Sequence, residues 1–174
     1  MSAPARLPTI QETMDGTLPF LGQTYAFAVS EYCSARGERM YRLNPSYQRP
    51  DVWTTEQREN FIRSLFANIP VPPVIINELP SSRIDYSQGD TPYHYNVIDG
   101  RQRLTTLRMF MHGDLVVDGY TYETLPTKFK WQFENAPFPS IRVRFETEEE
   151  EAVYYNIFNY SGTKHEESDK AKIQ

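Results

Sequence analysis

The sequence contains one cysteine, no long apolar run and no excess of basic residues, and each shortage excludes a class of protein. The lone Cys33 rules out an internal disulfide and any metal site built from clustered cysteines. Without an apolar run of about 18 residues or a secretory signal, we expect a cytoplasmic protein with no membrane partner. The net charge of −5 argues against a protein that holds nucleic acid through its overall field.

Two catalytic signatures are also missing. No G-x-x-x-x-G-K-[ST] loop occurs, which excludes a P-loop enzyme. The histidines stand far apart and form neither a zinc nor a nuclease signature; they are His94, His112 and His165. Any polyanion must therefore meet a local basic patch, and arginines cluster at 36–42, 101–108 and 142–144.

The residues that are present predict an α+β domain over residues 1–174, with a small mixed sheet and packed helices. Hydrophobic residues make up 39% of the chain and aromatic residues 14%, which is enough for a core. Alternating apolar residues predict strands in YAFAV, ERMYRL, VPPVIINEL, YHYNVI and PSIRVRFE. Turns are predicted at SARG and at the Asp118-Gly119 hairpin of LVVDGYTYE.

Helical periodicity marks the remaining elements. Thr54 and Gln57 form a capping box before an apolar face that runs to Ile69. Thr147 and Glu150 form a second capping box, so the acidic run TEEEEA has a structural explanation at a helix start. Further helices are predicted near Thr9–Met14, over RQRLTTLRMFMH with Gly113 as C-cap, and over TKFKWQFEN.

The stretch VIDGRQRLTTL is unusual because it places Arg101 and Arg103 where a helix begins. The first turn of a helix is electropositive, so each cation there costs about 0.3–1 kcal/mol unless an anion lies nearby. Arg101, Thr105 and Arg108 also recur at helical spacing and form a polar stripe. A bound phosphate would supply the missing anion.

Two interpretations of this junction remain open. Gly100 can take a positive φ and leave room for a ligand atom, which favours phosphate binding by the helix start. Alternatively, Asp99 and Gln102 form a capping box, and the arginines pair with surface acids for about 0–1 kcal/mol each.

These residues resemble the N-terminal domain of GmrSD-type modification-dependent restriction enzymes, a family marked by a DGQQR motif. Three blocks carry the resemblance: SYQRPDVWTTEQRENFIRSLFANIPVPPVII, YNVIDGRQRLTTL and IFNYSGT. The resemblance implies a ParB/sulfiredoxin-like fold and a nucleoside triphosphate bound or hydrolysed at the motif. The family's first glutamine is replaced by Arg101, which makes hydrolysis less secure than binding. Sulfiredoxin chemistry is not expected, because Cys33 lies far from the motif in sequence.

Matching positions extend the predicted site. Arg49 in YQRP matches a family arginine, although it could instead stack on Trp53. Asn159 and Gly162 match the family's N-x-x-G element, although both could equally cap a helix. The predicted nucleotide-binding residues are Arg49, Gly100, Arg101, Arg103, Arg108 and Asn159, and the predicted catalytic residues are Asp99 and Gln102. Asp99 is also the candidate Mg²⁺ contact, with helix capping as its alternative.

The predicted partner is a nucleotide. The alternative partners are DNA, a nuclease subunit, or a host or phage protein that a non-catalytic domain regulates. Full-length relatives carry an HNH-type nuclease, and no such sequence occurs here, so we do not expect this chain to cut DNA alone. The polar tail YSGTKHEESDKAKIQ begins another helix, which is consistent with either a further C-terminal helical or nuclease part or a segment that ends there.

Overall fold

A mixed five-stranded sheet organises the computed structural model, which describes residues 23–48, 51–88 and 92–160. The strands are β1 (Thr24–Ala28), β2 (Tyr41–Arg42), β3 (Val74–Glu78), β4 (Tyr95–Asp99) and β5 (Pro137–Val143). Their order in the sheet is β1-β5-β3-β4-β2. The central β3 runs antiparallel to β4 and parallel to β5, while β1 is antiparallel to β5 and β2 is parallel to β4.

Six α-helices surround this sheet in the described part of the chain. They are α1 (Val29–Cys33), α2 (Ala35–Met40), α3 (Thr55–Phe66), α4 (Arg101–His112), α5 (Thr127–Glu134) and α6 (Glu148–Tyr160). Two short 3-10 turns, Ser81–Arg83 and Tyr86–Gln88, lie between β3 and β4. The architecture confirms the predicted α+β class with a small mixed sheet and packed helices.

The two faces of the sheet carry separate hydrophobic clusters, because successive side chains of a strand point to opposite faces. On one face Val97 packs with Leu104 and Leu107 of α4. On the other face Ile98 packs with Tyr155 of α6. Helix α4 and helix α6 therefore lie on opposite sides of β4, and the end of this strand is held from both.

Helix α3 begins at the capping box that the sequence predicts. The Thr54 hydroxyl accepts from the Gln57 backbone N–H at 3.2 Å, and the Gln57 side chain accepts from the Thr54 N–H at 2.8 Å. Replacing Thr54 by alanine should lower the free energy of unfolding by about 1 kcal/mol, since a first-turn amide loses its acceptor. Urea denaturation checks this, with Thr55→Ala as the contrast, because Thr55 is exposed in the first turn of the same helix and does not occupy the cap.

Three sequence-based predictions about elements were wrong or incomplete, and a fourth lies outside the described residues. The SARG turn and the first half of ERMYRL are helical, because Ser34 caps α2 by accepting from the Gly37 N–H at 3.1 Å. Helix α3 ends at Phe66, and Ile69 is 55% exposed rather than part of an apolar face. Around Asp118-Gly119 the predicted turn is present with two positive φ angles, but only a single bridge joins Val117 to Tyr120 instead of two strands. The helix predicted near residues 9–14 lies outside the described residues.

In the described parts of the chain, every helix is too short or too polar to cross a membrane.

Candidate functional site

Strand β4 is followed directly by helix α4 in the stretch VIDGRQRLTTL. Asp99 is the last residue of the strand, Gly100 is the N-cap with φ 96°, and Arg101 opens the helix. The N–H of Leu104 donates to the Gly100 carbonyl at 3.0 Å, which closes the first turn. The strand–turn–helix junction and the positive φ of Gly100 are both confirmed.

The space beside Gly100 is filled by the protein itself. A Cβ atom at this position would lie 2.1 Å from Cγ1 of Val74, at the start of β3. The expectation that the missing side chain leaves room for a ligand atom was therefore wrong. Glycine is required here because β3 and β4 are antiparallel neighbours and the turn is pressed against β3.

The capping box predicted for Asp99 and Gln102 does not form. Asp99 belongs to the strand and its carboxylate accepts from Nη2 of Arg103 at 2.6 Å, while the cap position is taken by Gly100. Oε1 of Gln102 accepts instead from the backbone N–H of Trp53 at 3.3 Å. Because glycine has no side chain, the cap residue offers no acceptor to the amides of the first turn.

Arg103 ties the end of β4 to the approach of β3. Besides its ion pair with Asp99, Nη1 donates to the carbonyl of Pro72 and, at 3.4 Å, to that of Pro73. Only 11% of its side chain is exposed; burial lowers the pKa of Arg103, and the neighbouring Asp99 opposes that shift. Arg103 therefore holds the end of β4 against the segment that precedes β3.

The segment before α3 runs alongside this junction. Nε2 of Gln48 donates to the carbonyls of Val97 and Ile98, both at 2.7 Å. Five residues later Trp53 contacts Gln102, as described above. Arg49 stands between Gln48 and Trp53 in the sequence, but it lies outside the described residues.

A buried polar chain supports Gln102, and sequence reasoning missed it. The carbonyl of Gln102 accepts from the Thr106 hydroxyl at 2.7 Å, and that hydroxyl accepts from Nη1 of Arg58 at 2.9 Å. Arg58 is only 7% exposed and pairs with Asp51. The visible signal was the spacing of Arg58, which helical periodicity places on the same side of α3 as Phe61 and Ile62, although arginine is usually exposed.

Arg108 lies further along α4, where its guanidinium serves other elements. It donates to the carbonyls of Tyr32, Gly37 and Tyr41 at 3.2–3.4 Å, near the ends of α1 and α2. Burial lowers the pKa of Arg108. Cys33 is nearby and is 4% exposed, and burial raises the pKa of its thiol to about 12. These contacts stabilise helix ends and do not face the start of α4.

In the predicted basic patch at 142–144, Arg142 packs inside the fold, whereas Arg144 is exposed and pairs with Glu78. The guanidinium of Arg142 lies over the rings of Tyr25, Phe27 and Tyr95 at 4.6–5.2 Å. It also donates to the hydroxyls of Tyr41 and Tyr95 at 3.1–3.2 Å. A cation held this way contributes to packing more than to a surface field.

The start of α4 differs from the starts of the other long helices in its charge. Its first turn contains Arg101 and no acidic residue, whereas the first turn of α6 contains four glutamates and that of α3 contains Glu56. Asp99 lies just before this turn, but its carboxylate is already paired with Arg103. The half-buried Arg101 is therefore placed where an anion stabilises the helix dipole.

A second polar cluster lies on the opposite face of the sheet. Glu151, in the first turn of α6, is fully buried and accepts from Tyr47, Asn77, Arg83 and Asn96 at 2.6–2.9 Å. Burial, together with the carboxylate, raises the pKa of the Tyr47 hydroxyl. The acidic run is structural, as predicted, but one of its glutamates is an internal anchor.

Asn159 is in the last turn of α6, but its side chain and Gly162 are outside the described residues. Within the described ranges no group of three His, Cys, Asp or Glu side chains could hold a metal ion. Asp99 is the acid of the motif, and its ion pair with Arg103 leaves it a poor fit as part of a protein-built Mg²⁺ site.

Comparison with known proteins connects this junction to a family. No curated protein and no solved structure matches the chain, so the ParB/sulfiredoxin-like comparison stays a prediction. The family described as "GmrSD restriction endonuclease, N-terminal domain" matches residues 29–174, which include β2 to α6 and the whole β4–α4 junction. The chain belongs to the GmrSD restriction endonuclease N-terminal domain family, which associates it with DNA restriction and phage defence.

Proposed function

We propose that this domain binds a nucleoside triphosphate at the β4–α4 junction, as the nucleotide-responsive part of a restriction or phage-defence system. The observation that supports this proposal is the charge at the start of α4. A glycine caps the helix, an arginine opens it and no acid occupies its first turn. This arrangement is unfavourable for an isolated helix and favourable once a phosphate is bound.

In this proposal the backbone amides of Arg101 and Gln102 donate to phosphate oxygens. The guanidinium of Arg101 supplies a charge-assisted contact, and Arg49 and Asn159 complete the site from the segments that resemble the family. Arg103 acts indirectly, because its ion pair with Asp99 fixes the turn. Arg108 is left out, since its guanidinium is bonded to three carbonyls elsewhere.

The support is stronger for binding than for hydrolysis. The two side chains predicted to be catalytic, Asp99 and Gln102, are engaged with Arg103 and with the Trp53 amide. A hydrolase would need a free group to position water, and Arg101 stands where the family has a glutamine. Mg²⁺ would then arrive bound to the phosphates, since the described residues offer no carboxylate cage for it.

Thermal unfolding with ATP, GTP, CTP and UTP, each with and without Mg²⁺, tests the proposal. A nucleotide at a hundred times its dissociation constant should add about 2.7 kcal/mol to the free energy of unfolding. Arg101→Ala should weaken binding by about ten- to a hundredfold, since a charge-assisted hydrogen bond contributes about 1.5–3 kcal/mol. Calorimetric titration of both proteins measures the ratio.

Lys128→Ala is the matched control, because Lys128 is an exposed cation in the first turn of α5. That variant should bind nucleotide like the unmodified protein. A domain that responds to none of the four nucleotides, or that loses binding equally in both variants, contradicts the proposal. Salt-sensitive binding of duplex DNA without any nucleotide response would indicate the DNA-binding alternative instead.

A further inference from the structure

A small polar cavity lies beside Asn96, away from the β4–α4 junction. It has a volume of about 170 Å³, and its walls include Arg42, Arg83, Asp85, Tyr93 and Asn96. Asn96 contacts Glu151 of α6, whereas its neighbour Val97 packs on the α4 side of the sheet. The cavity is therefore associated with the opposite face of β4 from the proposed nucleotide site.

Asn96, one of the residues that line this cavity, has a buried acceptor without a donor. Asn96 is 1% exposed, and its Nδ2 donates to both oxygens of Glu151, at 2.9 and 3.3 Å. This pair fixes which end of the amide is nitrogen, so the other end is Oδ1. Among the described residues nothing donates to that oxygen. Buried carbonyl oxygens usually have a partner, so a ligand group that donates a hydrogen bond fits here.

Two arginines line the cavity together with Asn96. Arg42 is paired with Asn96 in the parallel ladder of β2 and β4, which places both residues at the same level of the sheet. Nη1 of Arg83 donates to Glu151 at 2.6 Å, and its side chain is 18% exposed. A ligand in this cavity therefore meets cationic donors and a neutral acceptor together.

We propose that this cavity binds a phosphate group that still carries a proton, either inorganic phosphate or a small phosphate monoester. The P–OH group donates to Oδ1 of Asn96, and the other oxygens accept from Arg42 and Arg83. Sulfate and phosphate diesters lack this donor, whereas a phosphate monoester carries it below its second pKa of about 6. The proposal does not depend on nucleotide binding at α4.

The charges around the cavity favour a singly charged ligand. Glu151 balances Arg83. A hydrogen bond from Ser46 is the main cause that lowers the pKa of Glu148 on the same helix turn, and the cation of Arg42 adds to this effect. Asp85 adds a carboxylate to the wall and accepts from the Ser87 N–H at 2.9 Å. A dianion would meet this carboxylate unfavourably, so the charges favour the monoanion of the phosphate group.

Calorimetric titration with four simple anions at a pH of about 5.5, where both phosphates are mainly monoanions, tests the inference on the unmodified protein. Inorganic phosphate and methyl phosphate should bind, while sulfate and dimethyl phosphate should bind about tenfold more weakly or worse. Tighter binding of methyl phosphate than of inorganic phosphate identifies a monoester as the ligand, and the reverse order identifies free phosphate. Equal binding of sulfate and phosphate, or no binding of either phosphate at millimolar concentration, overturns the inference.

Variants then locate the binding. Arg42→Gln should weaken phosphate binding about tenfold or more, whereas Arg39→Ala, which removes an exposed arginine of α2, should leave it unchanged. Arg101→Ala should also leave it unchanged, because Arg101 belongs to the other proposed site. Loss of phosphate binding in Arg101→Ala but not in Arg42→Gln would show that phosphate occupies the α4 start and would refute the cavity.

Discussion

Replacing Glu151 by alanine should lower the free energy of unfolding by about 3–5 kcal/mol, one of the two largest effects that we expect from a single change in this chain. The carboxylate is fully buried and accepts from a hydroxyl, two amides and a guanidinium. Its removal leaves Arg83 as a poorly compensated cation and leaves three further donors without their acceptor. Urea denaturation followed by circular dichroism measures the loss.

Glu149→Ala provides the comparison within the same helix turn. Glu149 is exposed, carries the same charge and lies two residues away in α6. Its removal costs only part of the favourable interaction with the helix dipole, about 0.3–1 kcal/mol. Similar losses in the two variants would mean that Glu151 acts through the dipole and not through its buried partners.

These two glutamates show that a local sequence pattern predicts a helix start but not which side chain becomes buried. TEEEEA identifies a helix start correctly, because capping and dipole effects act within a few residues. Which of the four acids turns inward depends on donors contributed by Tyr47, Asn77 and Asn96, which are distant in sequence. A local pattern carries no information about such partners, so the buried cluster could not be predicted.

The same limit applies to the arginines. The stripe of Arg101 and Arg108 on one helix face follows from helical spacing. Their surroundings do not, because α1 and α2 supply the carbonyls that surround Arg108. Helix α2 covers the predicted SARG turn and the first half of the predicted strand ERMYRL, so this error in the elements carried over to the site. Long periodic segments such as α3 and α4 were predicted well, since their pattern spans several turns.

The junction itself was predicted in outline and not in its contacts. A glycine between a strand and a helix indicates positive φ, and Gly100 has it. The partner of Asp99 depends on a choice between a local cap and an ion pair one helical turn away. Val74 at the start of β3 lies against Gly100, and the carbonyls of Pro72 and Pro73, just before β3, accept from Arg103. These contacts hold Arg103 close to Asp99, and the ion pair forms.

Replacing Gly100 by alanine should be about as damaging as removing Glu151. The residue has φ 96°, and an alanine Cβ would lie 2.1 Å from the Val74 side chain and 2.8 Å from its Cβ. Left-handed backbone costs a non-glycine residue about 1–2 kcal/mol, and overpacking adds about 1–3 kcal/mol. We therefore expect a loss of about 2–5 kcal/mol in the free energy of unfolding, measured by urea denaturation.

Gly113→Ala separates the two causes. Gly113 caps the other end of α4 with φ 84°, and a Cβ there would meet nothing within 4 Å. Its loss should be limited to the backbone cost of about 1–2 kcal/mol. If the two variants are equally stable, the contact with Val74 relaxes without cost and the turn is not pressed against β3. If Gly100→Ala has a clearly lower free energy of unfolding than Gly113→Ala, the close contact with β3 fixes the start of α4 and holds the first-turn amides in place.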